Sequence, residues 1–467
     1  MPSKIIFFVT LTIFLAKQSL ALEASTHSKI SQQMVINSLL TNYPKILAYY
    51  DKVDAAQGSY LASQGFFDIK LKQEYEDKTR GYYDGKGLNS TIEKQNQFLG
   101  SKVYAGYRKS FGEFASYDGE RLTNHDGEIR AGLRFSLLKD RAIDQNRLGV
   151  LLAEFGLKES RVQLETIKIE MQRDAIKAYW RWVAAGKIYE IYQNLLDLAL
   201  QREKQLEERL KRGDVAEIIL VENKKNILRR KNATLEAKRD FENSAIYLSL
   251  FLRDNTSNPI IPKQEQLPEI HFSLKEIDSV KMQQDIDKAL QNRAEVRIIK
   301  IKKDEELSHL KYSENLFLPK FDVEAGASKD MGRGPQSRKQ SNNFVKMEFE
   351  IPLQFSEARG KISASQSKLS AIRHEEQLLG EQIKNEITQL KNYLHNSIEL
   401  YHNFEKEAQL AKKLEIAEQE KFKHGASNFF LVNVREQETA DAKASQIKMF
   451  EYYQENLVAY KAAIFEF

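Results

Sequence analysis

Few residues in this chain are spaced in a way that could support catalysis. His395 and His402 could share one helix face, but no carboxylate or third ligand is evident beside them to complete a metal site. Gly332-Arg333-Gly334 lacks both the strand-to-helix setting and the lysine of a phosphate-binding loop. The chain has no cysteine, which excludes disulfides and thiolate chemistry. We therefore expect neither an enzymatic activity nor a cofactor or metal.

Two basic segments that end in glycine are more informative. They read Arg209-Leu210-Lys211-Arg212-Gly213 and Lys421-Phe422-Lys423-His424-Gly425. Cations in the last turn of a helix offset its dipole by roughly 0.3–1 kcal/mol each. Glycine adopts positive φ past a helix end without steric cost. Each segment therefore predicts the end of a helix and a reversal of the chain.

Acidic residues follow only the first of these two turns. Asp214, Glu217 and Glu222 are candidates for a cation-attracting aperture ring. After the second turn, no acid occurs before Glu436. The charge of the whole chain is nearly balanced, with Lys+Arg 71 against Asp+Glu 66. A nucleic-acid partner is not expected, since binding to nucleic acid usually requires a concentrated basic patch.

Proline placement predicts long helices before both turns. No proline occurs between Pro44 and Pro259 or after Pro352, and proline inside a helix costs about 3 kcal/mol. The first long helix is predicted over residues 140–212 and the second over residues 357–424. Ile188, Ile191 and Leu195 recur at the spacing of a coiled-coil seam.

The second half of the chain repeats the first. At one constant offset, Tyr189 matches Tyr401, Leu198 matches Leu410 and Gly213 matches Gly425, within the same order of elements. A repeat this long indicates a duplicated domain. The predicted bounds are a first repeat over 22–252, a linker over 253–279 that contains three prolines, and a second repeat over 280–467.

Alternating apolar and polar residues predict strands in each repeat, over residues 66–138 and 317–355. The first stretch is nearly twice as long as the second, and Val103, Ala105 and Tyr107 suggest an added strand there. The flanking helices lie on the same side, so the strand number must be even. A fourth strand is expected at residues 90–98 or 111–122; a long loop is the alternative.

The N-terminus predicts export. Lys4 precedes a short apolar run, and Ser19-Leu20-Ala21 supplies small residues for cleavage after Ala21, so residues 1–21 are interpreted as a signal peptide. No other stretch is apolar enough for a membrane helix. A chain of this kind could cross a membrane only as a closed barrel, because open sheet edges are excluded from lipid.

The layout resembles the TolC family of outer-membrane efflux and secretion channels. The resemblance rests on the two glycine turns, on Leu39-Leu40-Thr41-Asn42-Tyr43-Pro44 and Ala289-Leu290-Gln291-Asn292-Arg293-Ala294 at the start of each repeat, and on Phe349-Glu350-Ile351-Pro352-Leu353. No single motif is specific, but their order occurs twice.

The resemblance implies a mainly α protein with a membrane β-barrel portion. Long antiparallel coiled-coil hairpins would occur in two repeats, each with a short antiparallel β segment that contributes to one barrel shared by a homotrimer. It also implies contact with outer-membrane lipid, a periplasmic adaptor and an inner-membrane transporter. The two glycine turns would form the periplasmic docking surface for the adaptor, through Arg209, Leu210, Gly213, Lys421, Phe422 and Gly425.

Two other classes of protein remain open from the sequence. A periplasmic adaptor also joins a helical hairpin to β domains, although the duplication argues against it. An exported coiled-coil scaffold would carry the same helical pattern. The identity of an exported substrate is not encoded in any motif.

Overall fold

The computed structural model describes residues 29–115, 117 and 121–467, and the predicted signal peptide lies outside them. The chain is mostly helical, with one antiparallel sheet. It divides into two compact units. One comprises the described residues up to Ala48 with Thr166–Arg293 and Gln382–Phe467, and the other comprises Tyr49–Glu165 and Ala294–Glu381. Each unit contains segments of both halves of the sequence.

Both halves run through the same order of elements: two short helices, a set of strands, a long helix and a return helix. The first half contains α1 (Gln32–Asn42), α2 (Pro44–Gln64), β1 (Ile69–Asp77), β2 (Lys86–Gln95), β3 (Lys102–Phe111), β4 (Glu128–Ser136), α3 (Gln145–Lys211) and α4 (Glu217–Leu248). The second half contains α5 (Ser279–Asn292), α6 (Ala294–Asn315), β5 (Lys320–Asp330), β6 (Asn342–Glu350), α7 (Ser356–Lys423) and α8 (Phe429–Ala463).

The first long helix starts later than predicted. Residues 140–144 are not helical, and Asp140 has a positive φ of 66°. Asp144 sets the start of α3, because its carboxylate accepts a hydrogen bond from the Arg147 N–H at 2.9 Å. The second long helix is offset from its predicted range by one residue at each end.

None of the helices in the described part of the chain combines the length and apolar composition that a bilayer crossing requires.

The six strands form one sheet in sequential order, from β1 at one edge to β6 at the other. Every neighbouring pair is antiparallel. The first half supplies four strands, and the added strand β2 overlaps the expected range 90–98. The other expected range, 111–122, is wrong, since β3 ends at Phe111. The last strand was predicted to continue to Leu353, but it ends at Glu350. Pro352 has no N–H to donate to a neighbouring strand, so it cannot extend the ladder.

The sheet has one apolar and one charged face. The apolar face is exposed to solvent in the single chain: Leu71 is 63% exposed and Met347 is 66% exposed. Cross-strand pairing aligns its members, so Leu71 faces Ile92 and Val323 faces Met347. This apolar face contains Ile69, Leu71, Tyr75, Leu88, Ile92, Val103, Ile129, Leu133, Val323, Val345, Met347 and Phe349.

The opposite, charged face is joined by ion pairs across the strands. Glu93 lies 2.5 Å from Lys72 and 2.6 Å from Lys102, so one carboxylate bridges β1 and β3. Arg134 on β4 donates to Asp322 on β5 at 2.6 Å. Side chains of both signs therefore hold the register of the sheet on this face, while the apolar face has no comparable network among the described residues.

The unit that contains Thr166–Arg293 and Gln382–Phe467, which we call the helical unit, has an aromatic core. Trp182 on α3 is fully buried, and its ring stacks on Phe241 of α4 at 6.4 Å. Phe241 also stacks on Tyr189 at 6.1 Å, which fixes α4 against α3. Gly186 lies at the centre of this core, where a Cβ would come within 2.5 Å of the Leu267 side chain.

We expect Gly186→Ala to destabilise the protein by about 1–3 kcal/mol, because the added methyl group overpacks a core that contains the buried Leu267. Gly156→Ala on the same helix is the matched control. No atom lies within 4 Å of its added Cβ, so the higher helix propensity of alanine should stabilise by up to about 1 kcal/mol. Thermal unfolding in detergent, followed by helical circular dichroism, measures both changes. Equal effects of the two substitutions would contradict the packing argument.

Candidate functional site

The two glycine turns share one backbone geometry. At the end of α3 the Gly213 N–H donates to the Leu210 carbonyl at 3.0 Å, and the Asp214 N–H donates to the Arg209 carbonyl at 2.9 Å. Gly213 has φ +76°. These bonds define a Schellman motif, which satisfies carbonyls that would otherwise lack partners at the helix end. The chain then enters α4 at Glu217.

The second turn repeats this pattern. The Gly425 N–H donates to the Phe422 carbonyl at 3.1 Å and the Ala426 N–H to the Lys421 carbonyl at 2.9 Å, with φ +75° at Gly425. No atom lies within 4 Å of a Cβ built on either glycine. Glycine is therefore required by the backbone conformation and not by crowding.

The predicted docking residues lie around these two turns. Arg209, Gly213, Lys421 and Gly425 are exposed, while Leu210 and Phe422 are half-buried. In the second turn the Phe422 ring packs against Phe429 at 6.3 Å. The turns thus combine exposed cations with a partly covered apolar residue, a combination that can bind a protein surface.

The predicted aperture residues do not form a ring in one chain. Asp214 is exposed in the first turn, Glu217 is exposed in the first turn of α4, and Glu222 is half-buried one turn later. An acid at the start of a helix is stabilised by the helix dipole, which accounts for Glu217 in structural terms.

A buried charge cluster close to the two turns was not predicted. Glu436 on α8 accepts hydrogen bonds from Arg202 on α3 and, at 3.0 Å, from Arg230 on α4. Asn433 accepts a further bond from Arg202 at 2.9 Å, and Gln419 on α7 donates to Glu436 at 3.3 Å. These five residues form what we call the Glu436 node. It links α3, α4, α7 and α8.

The two charged side chains at the centre of the Glu436 node are almost completely buried. The Glu436 side chain is 1% exposed and that of Arg230 is 3% exposed. Burial alone would raise the pKa of Glu436, but the hydrogen bonds and charges of Arg202 and Arg230 outweigh it and hold that pKa below its ordinary value. Burial lowers the pKa of Arg230. A buried pair of this kind depends on all of its partners being present.

One feature of the sequence points to this node. Glu436 is the first acid after the second turn. It is flanked by apolar and buried positions, since Val432, Thr439 and Ala440 are all buried. A lone carboxylate on the buried face of a helix requires a cation from a neighbouring helix. Nothing in the sequence identifies Arg202 and Arg230 as the partners, because that pairing is set by helix register.

The two histidines are surface residues. His395 Nδ1 lies 3.0 Å from a Glu276 carboxylate oxygen, and His402 Nδ1 lies 3.5 Å from Glu405. The expectation that no carboxylate adjoins them is therefore wrong, although the two rings contact different acids. Within the described ranges, no three His, Asp or Glu side chains are grouped closely enough to hold a metal ion.

Solved outer-membrane channels have the same fold along nearly the whole chain. The chain is 14% identical to the Campylobacter jejuni CmeC outer membrane channel, with a TM-score of 0.61 over 96% of this chain and 90% of that one. It is 12% identical to the Neisseria gonorrhoeae MtrE outer membrane channel in its open state, with a TM-score of 0.64 and coverage of 93% and 89%. For the outer membrane protein VceC from Vibrio cholerae, identity is 12%, the TM-score is 0.62 and coverage is 93% and 96%.

This likeness is visible only in the fold. No protein-family model matches the chain, and no curated protein matches it in sequence. The structural agreement nevertheless confirms the resemblance derived from the glycine turns and the repeated element order. The chain has a TolC-type fold.

We expect Glu436→Gln to lower the free energy of unfolding by about 3–5 kcal/mol, because it leaves the buried Arg230 without its counter-charge. Glu438→Gln on the same helix is the matched control. Its partner Arg435 lies 2.8 Å away, but the Glu438 side chain is 48% exposed, so the expected change is within about 1 kcal/mol. Denaturant unfolding measures both.

The same node sets a pH dependence. The pKa of Glu436 is lower in the folded state, so its contribution to stability is present above the unfolded pKa and is lost as pH falls through the folded pKa. Acidification below the ordinary glutamate pKa of 4.5 should therefore destabilise the native protein more than Glu436→Gln. Parallel acid profiles of the two proteins would contradict this assignment.

Proposed function

We propose that this chain is a subunit of an outer-membrane channel, a passive duct across the outer membrane and periplasm within a tripartite efflux or type I secretion system. The observation that carries the proposal is the sheet of a TolC-type fold, in which apolar side chains from all six strands share one face and ion-paired charges lie on the other. Such a sheet separates an apolar phase from a wet one.

The exposed apolar face supports a membrane location. Soluble monomers rarely expose contiguous apolar patches of more than a few hundred Å². Here exposed apolar side chains occur on several strands, including Leu71, Ile129 and Val345. Lipid would cover this face, and the charged face would then line the water-filled path. Because Lys72, Glu93 and Arg134 bring both signs to that face, the duct would be polar without a strong preference for one charge.

The two edges of the sheet require other copies. Within the described residues of one chain, the outer sides of β1 and β6 have no strand partner. Unpaired backbone N–H and C=O groups are excluded from lipid, so β6 of one copy must pair with β1 of the next until a ring closes. A few strands are too few to enclose a pore. The TolC-type fold favours a homotrimer as the closed ring.

The glycine turns would meet the rest of the export system. On this proposal, their exposed cations and half-buried Leu210 and Phe422 bind a periplasmic adaptor, which links the duct to an inner-membrane transporter. Asp214, Glu217 and Glu222 would then be brought together with their copies at the periplasmic opening.

The strand pairing between copies is testable by cysteine cross-linking, because the chain has no cysteine of its own. Gln73→Cys on β1 should cross-link to Val345→Cys or Met347→Cys on β6, since all three side chains lie on the apolar face. Oxidised outer membranes should yield covalent trimers in SDS, which reductant converts to monomers.

Gln73→Cys with Lys346→Cys is the matched control for this experiment. Lys346 lies between Val345 and Met347 but points to the charged face, so the two sulfurs should not meet across the edge. Absence of covalent oligomers for both same-face pairs, in protein that reaches the outer membrane, would reject the ring. Recovery as a soluble periplasmic monomer would favour an adaptor or a scaffold instead.

We expect Gly213→Val and Gly425→Val to abolish export while trimers still form. A β-branched residue strains the positive φ at each turn by roughly 1–2 kcal/mol and distorts the docking surface. Gly213→Asn is the control, because asparagine tolerates this conformation and should keep most of the activity. Export, trimer yield and cross-linking to the adaptor are measured together. If the variant with both valines assembles correctly and exports normally, the turns have no role in export.

A further inference from the structure

The apolar face of the sheet carries four lysines, and three of them lie at one end. Lys86 begins β2, Lys109 lies near the end of β3, and Lys329 lies near the end of β5. Strand pairing places all three on the apolar face, because Lys109 is opposite Leu88, Lys329 is opposite Ile129 and Lys86 is opposite Phe111. We call these three residues the lysine row.

The lysine row lies beside the hairpin loops. The connections from helix to strand and from strand to helix all leave from the opposite end of the strands. The described parts of the connections β1–β2, β3–β4 and β5–β6 therefore share the end with the lysines. On the proposed function this end faces the cell exterior. The fourth lysine, Lys94, lies at the other end, opposite Ile69 and Val103.

The spacing of these lysines fits an apolar layer between two polar boundaries. Between Lys94 and Lys86, β2 rises roughly 26 Å at about 3.3 Å per residue, and strand tilt reduces this to about 20 Å of height. Along β2, the three intervening positions on this face, Leu88, Ser90 and Ile92, carry no charge. Tyr75, Tyr107 and Phe111 lie near the lysine row, as aromatic residues do at a membrane interface.

Two members of the lysine row have no acidic partner among the described residues. Lys86 lies 3.0 Å from Asp77. Lys109 instead lies over the Phe111 ring at 5.0 Å, and Lys329 is exposed. In the part of the chain that the structure describes, neither has an acidic group within ion-pair distance. An uncompensated ammonium at a lipid-facing boundary is stabilised by an anion of the headgroup layer.

We propose that the lysine row binds the phosphate groups of lipid in the outer leaflet, with Lys109 and Lys329 as the main contacts. This inference rests on the proposed membrane location of the sheet. Phosphate is the anion that lipid headgroups supply at this level, and lysine binds it as a point charge on a flexible stem. The aromatic side chains fix the depth of the sheet, and the lysines add attraction to an anionic surface.

The test uses the purified full-length protein in uncharged detergent. A glycolipid with two phosphates, zwitterionic phosphatidylcholine and inorganic phosphate are titrated separately, and the dissociation temperature of the oligomer is measured. The native protein should be protected by the diphosphorylated lipid at a concentration roughly tenfold or more below that needed by Lys109→Gln/Lys329→Gln. Lys109→Arg/Lys329→Arg keeps both charges and should retain the protection.

Lys70→Gln/Lys346→Gln is the matched control, because it removes the same charge from the opposite face of the edge strands. If this control loses as much protection by the diphosphorylated lipid, the effect comes from net charge alone and the proposal is overturned. Unchanged protection in Lys109→Gln/Lys329→Gln would also overturn it, as would equal protection by inorganic phosphate. If that variant does not assemble, the single substitutions are compared in the same titration. Failure of the native protein to form oligomers would instead reject the proposed function.

Discussion

The structure depends on one constraint: a backbone N–H or C=O that leaves water needs a hydrogen-bond partner. At the ends of α3 and α7, Gly213 and Gly425 meet this need locally through paired Schellman bonds. At the start of α3, the Asp144 carboxylate does so. At the outer sides of β1 and β6 the described residues offer no strand partner, which is why the proposed channel needs further copies to complete its sheet.

Charge is used differently in the two compact units. On the sheet, Glu93 bridges Lys72 and Lys102 on a partly exposed surface, where ion pairs set register more than they add stability. In the helical unit, Glu436 and Arg230 are nearly dry, so each is costly without the other. The first arrangement suits a protein surface that faces water. The second fixes one relative position of four helices close to the turns that would contact a partner.

Much of the fold was accessible from the sequence. Absence of proline, the two glycine turns and strict alternation report directly on backbone conformation, so the order of elements and the even strand number followed from them. The predicted ends of elements were wrong where a single side chain sets the boundary. Asp144 makes α3 start later than predicted, and Pro352 makes β6 end earlier. The Glu436 node was missed because Arg202, Arg230 and Glu436 are distant in sequence, and only helix register brings them together. The lysine row needed the strand register for the same reason.

The pairing of β4 with β5 has a consequence for how the chain folds. The bond from Ser136 to Asp322 joins residues 186 positions apart, so the sheet stays incomplete until the second half of the chain is available. The sheet is therefore a late, high-contact-order element, and closing so long a loop is slow. The α3–α4 hairpin forms from local contacts and shortens the effective loop. Until β5 is available, the open edge of β4 remains exposed, so incomplete chains need protection from aggregation.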